Sequence, residues 1–157
     1  MFRRSWMVGL CAAALSASGC SASSEHMRPV VAGGPTKPVA GEATVVFVRP
    51  SGFGAALKQT ILDGKGKFLG ESLPSSRFAV RMPPGEHTLI VWAENTSAVR
   101  ANLEAGKLYF VEVSLSMGAF SARADLLPIK RGSESSTKLA EWLADTEELA
   151  PNAASGQ

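Results

Sequence analysis

The group with the clearest chemistry in this chain is a thiol placed directly after four small residues, Ser16 to Gly19. In Ala17-Ser18-Gly19-Cys20 the Cys20 sulfur stands where a diacylglyceryl donor can reach it before cleavage exposes its amine. The residues in front fit that chemistry: Arg3 and Arg4 are a charged start, Trp6 to Leu15 is a short apolar run, and small residues suit a peptidase groove. The run is shorter than the roughly 20 residues that cross a bilayer as a helix. Residues 1–19 therefore read as a lipoprotein signal peptide, with Cys20 as the lipidated residue, carrying acyl chains such as palmitate. Ala17 departs from the leucine usual at that position, and Arg3-Arg4 reads as an ordinary charged start rather than a twin-arginine signal.

Other reactive groups are sparse. The chain has two histidines, His26 and His87, and its second cysteine, Cys11, leaves with the signal, so triads and Cys/His zinc sites lack members. Asp63, Glu71, Glu86, Glu94, Glu104, Glu112 and Asp125 are scattered singly, without a D-x-D or E-x-x-H spacing. Glu86 and His87 are adjacent in a strand pattern and so point to opposite faces. His87 shares parity with Leu89 and Val91, which predicts a partly buried imidazole bonded to a neighbouring carbonyl. Gly64-Lys65-Gly66-Lys67 lacks P-loop spacing and reads as a hairpin turn. The expectation is no catalytic, cofactor or metal residue, and no enzyme. A hydrolase using an unrecognised carboxylate site is the third alternative.

Sixteen Lys and Arg stand against 14 Asp and Glu. Removal of Arg3 and Arg4 with the signal leaves the mature chain near neutral, which argues against a nucleic-acid surface. With no thiol left to pair, the mature domain must fold without a disulfide.

The elements around these residues are short. Ser21 to Glu42 is rich in Ser, Ala, Gly and Pro without apolar periodicity, so 20–42 reads as the lipidated cysteine and a flexible tether, reaching on the order of 25 Å. From 43 to 128, runs of Val, Phe, Ile and Leu recur with turn signals between them. Strands are predicted at Ala43–Arg49, Thr60–Leu62, Phe68–Leu69, Arg77–Met82, Thr88–Trp92, Val99–Glu104, Tyr109–Leu115 and Ala119–Leu127. The fold class is all-β: a small antiparallel β-sandwich of about seven or eight strands with a short C-terminal amphipathic helix. Pro83, Pro84 and Gly85 form a structural turn, two residues with fixed φ followed by one that can redirect the chain.

Val48-Arg49-Pro50, Pro83-Pro84-Gly85-Glu86-His87 and Ala105-Gly106-Lys107-Leu108-Tyr109, in this order, resemble the R-P, P-P-G-x-H and A-G-x-x-Y pattern of the bacterial lipoproteins grouped as the domain of unknown function 2846 family. The resemblance covers about Ala43 to Pro128, and Phe110 supplies the family's second aromatic. It implies a compact, lipid-anchored β-sandwich and carries over no catalytic residues.

Residues 129–157 read as a hinge, a helix over about 136–150 and a disordered tail. Leu139, Trp142, Leu143 and Leu149 follow a helical period, and Ile90 with Trp92 offers an outer sheet face on which Trp142 could dock. The functional expectation is a non-catalytic accessory or interaction module of the bacterial envelope, tethered to the membrane through its lipid and meeting an envelope protein partner. Its place is the periplasm or cell surface, with the outer membrane favoured because Ser21 is not aspartate. A small-molecule or glycan-binding lipoprotein is the alternative.

Overall fold

The computed structural model describes residues 23–30 and 37–152. Cys20, the expected signal peptide and the C-terminal tail fall outside these residues. Ten strands and one helix follow in order: β1 Met27–Pro29, β2 Ala43–Arg49, β3 Gln59–Asp63, β4 Phe68–Ser72, β5 Ser76–Met82, β6 Gly85–Trp92, β7 Thr96–Leu103, β8 Leu108–Met117, β9 Ala122–Pro128, α1 Glu134–Asp145 and β10 Glu147–Pro151. They form a sandwich of a six-stranded sheet, β1-β10-β5-β2-β8-β9, on a four-stranded one, β4-β3-β6-β7. All eight strands expected between 43 and 128 are present, and alternation explains them. Val45 and Phe47 of β2, Phe78 and Met82 of β5, Leu89 and Val91 of β6, and Val111 and Val113 of β8 meet between the sheets. Phe47 stacks on Phe78 with ring centroids 5.0 Å apart. Gly70 faces that pair so closely that a Cβ would lie 2.5 Å from Phe78 Cε2.

The expected turns close as their residues require. Asp63 Oδ1 accepts the Lys65 and Lys67 amides, both at 2.8 Å, and Gly66 adopts φ +82° between β3 and β4. Gly85 follows its two prolines with φ +124°, a backbone state that L side chains rarely adopt.

Two parts of the chain differ from expectation. The tether holds a strand: β1 pairs antiparallel with β10, Met27 facing Pro151 and Pro29 facing Leu149. Three residues are too few to show a period, and their partner lies at the far end of the sequence. The helix also ends earlier than expected, at Asp145. Thr146 takes an extended conformation while its N–H and its Oγ1 both bond the Trp142 carbonyl, at 3.1 and 2.6 Å. The next five residues join β5 as the parallel strand β10, burying Leu149 beside Phe78. Residues 147–150 have helical propensity, but the free edge of β5 and an apolar slot for Leu149 outweigh it.

The helix also docks in a different place. Ser133 caps it, its Oγ accepting the Ser136 amide at 3.2 Å. Ser135 Oγ donates to Glu112 Oε2 at 2.9 Å, and at the other end Arg77 donates to the Thr146 hydroxyl at 3.2 Å and to its carbonyl. Glu112 and Arg77 flank Val48 on either side in the sheet register. The helix therefore bridges the outer face of the six-stranded sheet across β2, where Val46 and Val48 are fully buried although they point away from the inter-sheet core. Ile90 and Trp92 belong to the other sheet and stay uncovered by it.

Candidate interaction surface

Four connections gather at one end of the sandwich: the loops 50–58, 73–75 and 118–121, and the turn 93–95. Side chains from the strand ends and turns hold two of them, Arg49 the loop 50–58 and Glu94 the loop 118–121. At the end of β2, Arg49 is 0 % exposed, and its guanidinium faces carbonyls rather than a carboxylate. Nη1 donates to Leu57 O at 2.8 Å and Ser72 O at 3.4 Å, while Nη2 donates to Phe53 O at 2.6 Å and Gly54 O at 3.0 Å. Its Nε is buried without a hydrogen-bond partner. Burial pushes the guanidinium pKa down, though an arginine stays cationic. The arginine of the R-P motif is thus a staple that shapes the loop carrying Phe53.

Across the sandwich Glu94 performs the matching task. Its carboxylate accepts the amides of Ala119 at 3.1 Å, Phe120 at 3.1 Å and Ser121 at 2.6 Å. The Ser121 and Phe120 amides hold its pKa below the ordinary carboxylate value. Asn95 donates to Ala124 O at 3.0 Å and accepts from Ala124 N at 2.9 Å, and Ser97 Oγ accepts the Leu126 amide at 3.2 Å. Side chains of the β6–β7 hairpin so occupy the outer edge of β9, which no strand covers among the described residues.

What these loops present is apolar. Phe120 is 98 % exposed, Met117 76 %, Trp92 68 % and Phe53 45 %. Loop residues 50–57, 73–76 and 116–122 contain no charged side chain. The opposite end carries Asp63, Lys65 and Lys67 in one turn, Arg81 and Glu86 around the prolines, and Glu104 and Lys107 in a third. The sandwich is polarised end to end.

Of the residues singled out from the sequence, Arg49, Trp92 and Glu94 lie at this end and most of the others elsewhere. Pro83, Pro84 and Gly85 form their turn at the charged end, and there His87 bonds the Pro83 carbonyl through Nε2 at 2.8 Å, as parity predicted. Glu71 accepts from Ser24 Oγ, Glu112 from Ser135, and Glu148 pairs with Arg77 at 3.1 Å, so these carboxylates are engaged in holding the fold. Among the described residues no group of three or more His, Cys, Asp or Glu could hold a metal ion. Sequence reasoning missed the apolar end because Phe53 and Phe120 belong to no strand period. Its trace was a lone aromatic in each of two loops of small residues, Gly52-Phe53-Gly54-Ala55 and Gly118-Ala119-Phe120-Ser121.

No protein-family model, curated protein or solved structure matches this chain.

Proposed function

We propose that this chain is a non-catalytic envelope lipoprotein, anchored through Cys20, whose β-sandwich presents its apolar loop end to another envelope component. The polarity of the sandwich carries this reading: loops 50–57 and 116–122 bear exposed aromatics and no charged side chain, and an exposed apolar patch is costly in water unless something covers it. The resemblance of the R-P, P-P-G-x-H and A-G-x-x-Y motifs to the domain of unknown function 2846 lipoproteins supports it from the sequence side. Docking of Ser24 and β1 on the body supports a short leash. From Cys20 to Ser24 the chain spans at most about 14 Å, well under the reach expected of a free tether. Ser21 in place of aspartate favours the outer membrane. Detergent-phase partitioning tests the anchor: wild type should enter the Triton X-114 phase and Cys20→Ser should leave it, and equal partitioning overturns the anchor.

A second reading, a small-molecule-binding lipoprotein, is favoured by a largely apolar cleft of about 400 Å³ lined from both sheets by Val99 and Leu103 of β7 and Tyr109 and Val111 of β8 among others.

A further inference from the structure

Among the surfaces of this protein, the corner formed by Phe53, Trp92, Met117 and Phe120 is the one whose shape and charge select a class of partner. We propose that this corner is a lipid-contact surface, whose apolar side chains enter the interfacial layer of the bilayer to which the chain is tethered. The inference rests on the membrane reading above for the nearness of a bilayer, and on the following observations for the contact itself.

Phe120 stands almost wholly in solvent at the tip of the β8–β9 connection, and a protruding ring fits a deformable layer better than it fits a preformed pocket. Trp and Phe are residues that settle at the membrane interface. Loops 50–57 and 116–122 carry no charged side chain, and because a charge carried toward hydrocarbon is expensive, the exposed Glu94 carboxylate beneath the tip loop stays at the headgroup level. Backbone amides are as great an obstacle, because an amide without a partner in lipid costs several kcal/mol. In the tip loop that cost is already met: Glu94 takes the amides of 119, 120 and 121 from beneath, and Gly118 N–H bonds Ser121 O at 2.8 Å. Lys58 and Arg123 follow directly on two of the loops, where cations would face anionic headgroups. Glu147 belongs to the same end of the sheet but starts β10, three strands from β8. Finally, a leash of at most about 14 Å from Cys20 to Ser24 keeps the domain as a whole close to the surface, although β1 lies at the sheet edge opposite β9, so a weak contact suffices.

Photo-cross-linking in cells tests this with the full chain. Benzoylphenylalanine replaces Phe120 in one strain and Lys65, at the charged end, in another. After irradiation the purified protein is weighed by mass spectrometry, which also reads the acyl groups on Cys20. The expected result is a phospholipid mass shift at position 120 and none at position 65. Adducts at 120 made only with protein, equal lipid adducts at both positions, or no adduct at 120 overturn the proposal, the first replacing lipid with a protein partner. A lipid adduct at 120 with an unmodified Cys20 would preserve the contact and remove the anchor, whereas an acylated Cys20 without a lipid adduct at 120 would do the reverse.

Discussion

Glu94 and Phe120 are 26 residues apart in sequence and joined at 3.1 Å, carboxylate oxygen to amide, with the neighbouring amides of Ala119 and Ser121 bound to the same carboxylate. One side chain at the β6–β7 turn thus fixes the connection between β8 and β9. The most exposed aromatic among the described residues stands on a loop held from another sheet.

That relationship is sensitive to acid. Three amides bonded to the ionised carboxyl hold its folded pKa below the ordinary 4.5, so folding favours the charged form. The stabilisation is complete above the unfolded value and is lost as pH falls through the folded one. Thermal melts of the wild type should fall as pH drops from 5 toward 3, and Glu94→Gln should flatten part of that dependence while lowering the melting temperature at pH 7. Parallel pH profiles for the two proteins would refute the assignment.

Arg49 should not tolerate replacement. Arg49→Met removes the donors from four loop carbonyls and is expected to cost on the order of 3 kcal/mol. Arg49→Lys should rescue little, because a point-charge ammonium cannot serve both edges of the site as a fork does. Denaturant unfolding of both variants measures this, and full rescue by lysine would show that charge rather than geometry is required.

At Gly85 the cost is conformational rather than steric. An added Cβ meets nothing within 4 Å, but φ stands at +124°. Gly85→Val should destabilise by ~1–3 kcal/mol. A melting temperature equal to wild type would mean that the turn relaxes freely.

The C-terminal segment is expected to be part of the folding unit. Leu149→Ala should cost ~2–5 kcal/mol, because the side chain is buried in the inter-sheet core. Truncation after Arg131 removes β10, the strand on which β1 pairs, and should lower the melting temperature further. A truncated chain that melts like the whole would contradict the pairing.

The strands between 43 and 128 could be read from the sequence because each carries its own period. Phe78 and Met82 against Arg77 and Arg81 reveal a face without knowledge of any partner. β1 and β10 could not be read in that way. Met27 gains its burial from a strand made more than a hundred residues later, and Leu149 fits a helical period as well as an extended one, so a contact distant in sequence decided its state. The interaction surface was hidden for a related reason: an exposed loop aromatic repeats with nothing, and it becomes informative only once Glu94 and Arg49 bring Phe120 and Phe53 to one end. The role of Arg49 was half visible. Its motif marked the end of the first strand, but not that a cation would be buried among carbonyls.

Pairing between β1 and β10 also sets an order of events during synthesis. β1 leaves the ribosome before the other nine strands and its partner leaves after them. The segment from Ser24 to Pro29 therefore stays undocked while the chain is incomplete. Once β10 has formed, the same segment is drawn against the body of the domain. Completion of the fold thus acts as a clock on access to the segment 24–29.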